Sequence, residues 1–178
     1  MALERKHKIG ILTGSVLALL LGAGTQEGLL PHWEGHDKAR NVAIHQKFDP
    51  NGVITVCSGI TNYDVPGLKA GDVYTRVMCH DAEQAATPEY NDMLVSCLPE
   101  DFMVGDHQHA AMLSFVYNVG RKNFCDSSVG REFRAGHREA GCRNMGNFVR
   151  AAGVVLKGLE NRRYDKFMGE VAWCLRED

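Results

Sequence analysis

Six cysteines, Cys57, Cys79, Cys97, Cys125, Cys142 and Cys174, constrain this chain more than any other feature. All of them follow an almost uncharged run from Ile9 to Gly24, IGILTGSVLALLLGAG, and none lies within it. An even set without CxxC spacing favours structural disulfides over a zinc ribbon or a thioredoxin-like redox pair. Residue order alone leaves every pairing open. Disulfides persist in an oxidising compartment, and the apolar run supplies a route to one. Arg5, Lys6 and Lys8 precede it, so a cytoplasmic N-terminus and export of everything after Gln26 are expected. At roughly 1.5 Å per residue the run falls short of a hydrocarbon core of roughly 30 Å. Gly10, Thr13, Gly14, Ser15, Gly22 and Gly24 dilute its hydrophobicity further, which makes it a weak anchor. Gly22, Ala23 and Gly24 are small enough for a cleavage site. A cleaved signal, a permanent anchor, and a segment that first tethers and later releases the chain all fit these residues.

Residues 1–28 therefore read as a signal or signal-arrest-release segment and 29–178 as one folded domain. No repeat, low-complexity tract or Gly/Ser/Pro-rich linker divides the latter. A formal net charge of -2 over 178 residues offers no broad basic surface, which argues against a nucleic-acid partner. Pro31 predicts a short helix around His32 to Arg40 that carries Glu34. The tetrad Asp49-Pro50-Asn51-Gly52 predicts a turn, and the β-branched residues Val53 to Val56 a strand after it. Helical periodicity dominates beyond that point. Asp106 is the expected N-cap and Gly120 the expected stop of a core helix. Tyr164, Phe167, Met168, Val171, Cys174 and Leu175 recur at helical steps and predict a last helix with one buried face. The class is α+β: a mostly helical single domain with a small β-hairpin or sheet lobe, preceded by an N-terminal hydrophobic signal-anchor helix.

Three residues stand out chemically. Glu34 follows bulky Trp33 and precedes Gly35, which combines an apolar neighbour that raises a carboxyl pKa with room for a ligand. Asp49 stands at the turn and Thr55 inside the strand, from which two polar side chains face a cleft. Each also has an ordinary structural role open to it: a solvated helix residue, a turn initiator, a strand former. Glu27, followed by Gly28, rivals Glu34, and Asp37 rivals Asp49. Among the eight histidines, His32 with His36 and His107 with His109 have suggestive spacing. Neither pair belongs to an HExxH arrangement, so solvated histidines and no metal are expected.

Four blocks in order resemble the phage-type lysozymes, glycoside hydrolase family 24. They are WEG at Trp33 to Gly35, DPNGVITVCSGIT at Asp49 to Thr61, SFVYNVG at Ser114 to Gly120, and KGLENRR at Lys157 to Arg163. The resemblance implies a lysozyme-like fold and a muramidase. It cleaves the β-1,4 link between N-acetylmuramic acid and N-acetylglucosamine, without a cofactor and with inversion. It implies Glu34 as general acid, Asp49 assisting water or the oxocarbenium-like transition state, and Thr55 orienting that water. A lytic transglycosylase and a wall-binding module without catalysis are the competing functions. Family order implies pairing of Cys57 with Cys79, Cys97 with Cys125, and Cys142 with Cys174. Fourteen residues separate Glu34 from Asp49, more than the family uses, which implies an insertion within HDKARNVAIHQKF. Arg150 stands where the family often has tryptophan, and Tyr164-Asp165-Lys166 follows Arg163 instead of the family's later glutamate. Asn118 and Arg163 are expected to hold loops and helix ends together. Some exported members of the family carry a signal-arrest-release segment. The resemblance thus implies a monomer in the host periplasm, with peptidoglycan as substrate, first tethered to the inner membrane by residues 9–24.

Overall fold

A computed structural model of the chain describes residues 6–23, 26–34, 42–45 and 52–177. In chain order it forms β1 (Lys6–Lys8), α1 (Gly14–Leu21), β2 (Gly22–Ala23), β3 (Gln26–Glu27), α2 (Leu29–Glu34), β4 (Ile44–His45), β5 (Ile54–Val56) and β6 (Ile60–Thr61). There follow α3 (Arg76–Val95), β7 (Met103–Gly105), α4 (Asp106–Asp126), α5 (Ser128–Arg134), α6 (Arg138–Met145), β8 (Arg150–Ala151), β9 (Val154–Val155), α7 (Lys157–Tyr164) and α8 (Glu170–Cys174). The chain divides into two compact units, Leu21–Pro88 and Met1–Leu20 with Glu89–Asp178.

Helix α4 is the axis of the larger unit. Its residues His109 to Val116 are all buried, as in a helix enclosed on every side. Its helical geometry stops at Gly120, as the sequence indicated. At φ 79 and ψ 159 this glycine breaks the helical path, which resumes as far as Asp126. Gly105, not Asp106, occupies the N-cap, and Asp106 opens the first turn with its carboxylate turned to other work.

That work is holding the N-terminal run. Of the expected N-terminal hydrophobic helix, the described residues 9–23 show only Gly14–Leu21 as helical, and among the described residues no helix is long and apolar enough to cross a membrane. The reason is local. Thr13 caps the helix, accepting Val16 N–H at Oγ1 over 3.1 Å, and Gly22 at φ 94 ends it. Strand β1 pairs antiparallel with β7 in the register Lys6↔Gly105 and Lys8↔Met103. Ile9 and Val16 are fully buried. Asp106 accepts hydrogen bonds from Thr13 (3.2 Å) and Ser15 (2.5 Å) and lies 3.3 Å from His7 Nδ1. His7 Nε2 in turn sits 2.9 Å from His109 Nδ1, and His109 Nε2 donates to Asn91 Oδ1 over 2.7 Å. This network assigns a neutral His109 that donates at one nitrogen and accepts at the other.

The C-terminal segment departs from a single helix. Asp165 accepts the N–H groups of Phe167 and Met168 at 2.8 Å each, which turns the chain between α7 and α8. Tyr164 (59% exposed) and Phe167 (75%) consequently face outward and not into a core. The turn carries Glu170 into the interior. Glu170 Oε1 accepts from Arg162 Nε at 2.8 Å and from Ser114 at 2.6 Å, and Oε2 accepts from Arg163. Arg162 also donates to the Ser114 carbonyl at 3.0 Å. Arg163 donates to Asn118 and lies over the Phe115 ring. Bridges join Cys57 to Cys79, Cys97 to Cys125 and Cys142 to Cys174, the pairing that family order implied.

Two outcomes are expected. Glu170→Ala leaves two buried guanidinium groups without their carboxylate and should cost about 3 to 5 kcal/mol in urea unfolding; a loss below about 1 kcal/mol would contradict this role. His109 has its pKa pushed down to about 3, first by burial and then by His7, against the opposing pull of Asp106. Its contribution is complete above the unfolded value near 6.5. It is lost as pH falls, because the unfolded chain then binds a proton that the folded chain refuses. Stability should drop by about 2 kcal/mol from this group between pH 7 and pH 5. His109→Gln should flatten that slope, and an unchanged slope would rule the assignment out.

Candidate functional site

The residues singled out from the sequence fall in the unit Leu21–Pro88. Helix α2 is short because it is anchored by burial at one end: Leu29, Leu30 and Pro31 are all buried, and Pro31 is in its first turn. The helix begins three residues before His32, earlier than the sequence suggested. Its last residue is Glu34, half-buried next to half-buried Trp33. The Trp33 indole meets the His32 ring edge-on at 4.6 Å between centroids. Gly35, His36, Asp37 and Asp49 lie outside the described residues. Glu27, the rival acid, is on β3, where its exposed carboxylate lies 3.1 Å from His32 Nδ1.

Thr55 is the middle residue of β5, the central strand of an antiparallel sheet ordered β4-β5-β6. Strand alternation decides where its hydroxyl points. Val56 pairs with Ile60, both buried, whereas Thr55 pairs with Ile44 on one side and Thr61 on the other. Thr55 and Thr61 therefore share the open face, with Ile44 exposed beside them. The Thr55 hydroxyl has no hydrogen-bond partner among the described residues, which leaves it able to orient a water.

The hairpin is tightly tied down. Gly59, at φ 99, donates to the Val56 carbonyl at 3.2 Å, and Cys57 at φ 56 bridges to Cys79 on α3. Glu83 on the same helix accepts the Ser58 N–H at 3.3 Å. Asp64 is a residue that sequence reasoning passed over. Its carboxylate accepts both the N–H and the hydroxyl of Thr61 at 2.7 Å each, which fixes the end of β6. An Asp three residues after a Thr at a strand end was the available signal. Among the described residues no group of three or more His, Cys, Asp or Glu could hold a metal ion. His109 is buried in the larger unit, and His107 stands edge-on to Trp173.

The unit thus presents half-buried Glu34 at the end of α2 and a threonine hydroxyl on the open face of its sheet. A model of the family described as phage lysozyme matches residues 33–166, a span that holds all four sequence blocks. The chain belongs to the phage lysozyme family. As a family member it is similar to a protein of Bacteriophage PS119 named SAR-endolysin, 28% identical over 155 residues, covering 85% of this chain and 89% of the relative. Among solved structures it is similar to the muramidase domain of SpmX from Asticaccaulis excentricus. That match has a TM-score of 0.69 and 19% identity, over 93% of this chain and 98% of that one. A P22 lysozyme mutant matches with a TM-score of 0.66 and 20% identity, over the same 93% and 98%. Such structures establish a lysozyme-like, mostly helical fold with small sheets. The third and fourth sequence blocks converge in space, where Ser114 and Asn118 from one meet Arg162 and Arg163 from the other around Glu170.

Proposed function

We infer that the chain is a phage endolysin, a muramidase that hydrolyses the β-1,4 bond between N-acetylmuramic acid and N-acetylglucosamine in peptidoglycan and so lyses the host. The observation that carries this is the family match from residue 33, which begins one residue before Glu34 at the end of α2. Hydrolysis of a glycosidic bond requires a proton on the leaving oxygen and a water guided to the opposite face of the cationic sugar. Glu34, beside Trp33, gives the proton. Asp49 draws a proton from the water or steadies the oxocarbenium-like transition state, and Thr55 orients that water through its hydroxyl on the open face of β5. No step calls for a cofactor.

Murein lysis should fall by about a hundredfold or more in Glu34→Gln, the scale of a lost general acid. Asp49→Asn should follow it, Thr55→Val should lose less, and Glu27→Gln should stay close to the parent. Retention of parental lysis by Glu34→Gln would remove the central residue. Products with a new reducing end mark hydrolysis; anhydro ends would assign a lytic transglycosylase instead.

The same reading extends to the apolar run. Arg5, Lys6 and Lys8 start its export, and residues 9–24 first hold the chain to the inner membrane, with the remainder in the host periplasm. The run is short and glycine-rich, and it has a folded alternative with Ile9 and Val16 buried in protein, so release costs it no lasting exposure. An energised membrane holds it, and loss of that state frees it. Full-length chain should move from the membrane to the periplasmic fraction on depolarisation; a shortened product, soluble throughout, would exclude this.

A further inference from the structure

In the larger unit, a cavity of about 380 Å3 lies between α4 and the β8–β9 hairpin. Asn118, Val119 and Asn123 line it from the helix, and Phe148, Arg150 and Leu156 from the hairpin side. The hairpin is built to be stiff. Its two turn residues, Ala152 (φ 48) and Gly153 (φ 80), both lie at positive φ, the requirement of a type I′ turn. Its base is closed by Leu156 N–H donating to the Val149 carbonyl at 2.9 Å. Arg150 Nη1 donates to the Gly153 carbonyl at 3.1 Å, which holds the guanidinium against the hairpin and leaves its other donors available.

The charge balance of this cavity is one-sided. No carboxylate is among its lining residues, and Arg163 at its floor is already matched by Glu170. Arg150 makes no ion pair among the described residues. The amides are half-used in a complementary way. Asn118 accepts from Arg163 and keeps its NH2, whereas Asn123 donates to the Val119 carbonyl at 2.7 Å and keeps its oxygen. The remaining walls are apolar, and Val154 (62% exposed) and Val155 (42%) extend that surface along the hairpin. An uncharged sugar would leave the guanidinium unmatched. A short peptide with small side chains and a free carboxylate satisfies all three features: cation, amide pair and apolar wall.

We propose that this cavity binds the peptide borne by muramic acid, and that Arg150 reads its free carboxylate and so makes the chain discriminate between free and amidated wall peptides. The proposal rests on the muramidase reading above for its choice of peptide. Arg150 is a specificity residue in it, remote from bond cleavage.

Titration calorimetry with two probes tests it: a disaccharide-tetrapeptide with free carboxylates, and the same muropeptide with its carboxylates amidated. The wild-type protein should bind the free acid about tenfold more tightly, the scale of one charge-assisted hydrogen bond. Arg150→Ala should abolish that preference with unchanged thermal stability, since the residue is exposed, and Arg150→Lys should keep most of it. Equal binding of both probes by the wild type, binding of neither, or a preference that survives in Arg150→Ala would overturn the proposal. Murein lysis by the same preparation keeps the two readings apart. Lysis without a preference overturns the peptide site alone, and a preference without lysis counts against the muramidase.

Discussion

A single buried carboxylate, Glu170, organises the larger unit. It is fully enclosed with Arg163 and nearly so with Arg162, and taking such groups out of water costs several kcal/mol per ion unless every charge is met. The carboxylate meets this demand only when α7, the turn at Asp165, α8 and the Ser114 level of α4 are all in place. An ion cluster of this kind contributes specificity more than net stability: alternative packings of these helices would strand a charge. Everything else in the unit is referred to α4. Its first turn receives the N-terminal run through Asp106 and His109, and beyond the turn at Asn118 it forms one wall of the Arg150 cavity.

The N-terminal run carries two compatible sets of instructions. Leu17 to Leu21 and the glycines suit a marginal stay in a bilayer. Thr13 and Ser15, which weaken that stay, are the residues that grip Asp106 once the run is folded. Ile9, Val16 and Leu20 lose their exposure to protein as readily as to lipid. A run of leucines without these hydroxyls would lose both of the hydrogen bonds that Thr13 and Ser15 give to Asp106.

The three disulfides act locally. They span 22, 28 and 32 residues, and each joins cysteines of the same compact unit. Closing loops of this length removes a substantial share of the unfolded chain's freedom, of order 3 to 4 kcal/mol each in the chain-entropy description. Cys57–Cys79 fastens the hairpin that carries Thr55 to α3, so the strand whose open face bears the hydroxyl is secured at its turn. Cys142–Cys174 ties α6 to the end of α8, next to the Glu170 cluster.

The strand at Thr55 and the core helix that Asp106 opens were legible in the sequence because each depends on local chemistry, β-branching and apolar periodicity; proline placement marked a helix carrying Glu34, though it starts at Leu29, earlier than the sequence put it. Four ordered blocks were enough to indicate the family and the lysozyme-like fold, since they record spacing along the chain. Tertiary structure alone decided the rest. Periodicity ran Tyr164 to Leu175 into one helix, but the Asp165 side chain turned the backbone so that Glu170 could fold back onto Arg162 and Arg163. Gly120 does stop the helical path, and what the sequence left open is that a second helical segment follows it directly and buries Phe124. In the apolar run, hydropathy registers what the segment avoids and is silent about the protein surface that buries Ile9 and Val16. His7 lies far along the chain from Asp106 and His109, and only the fold brings it to them beside the run.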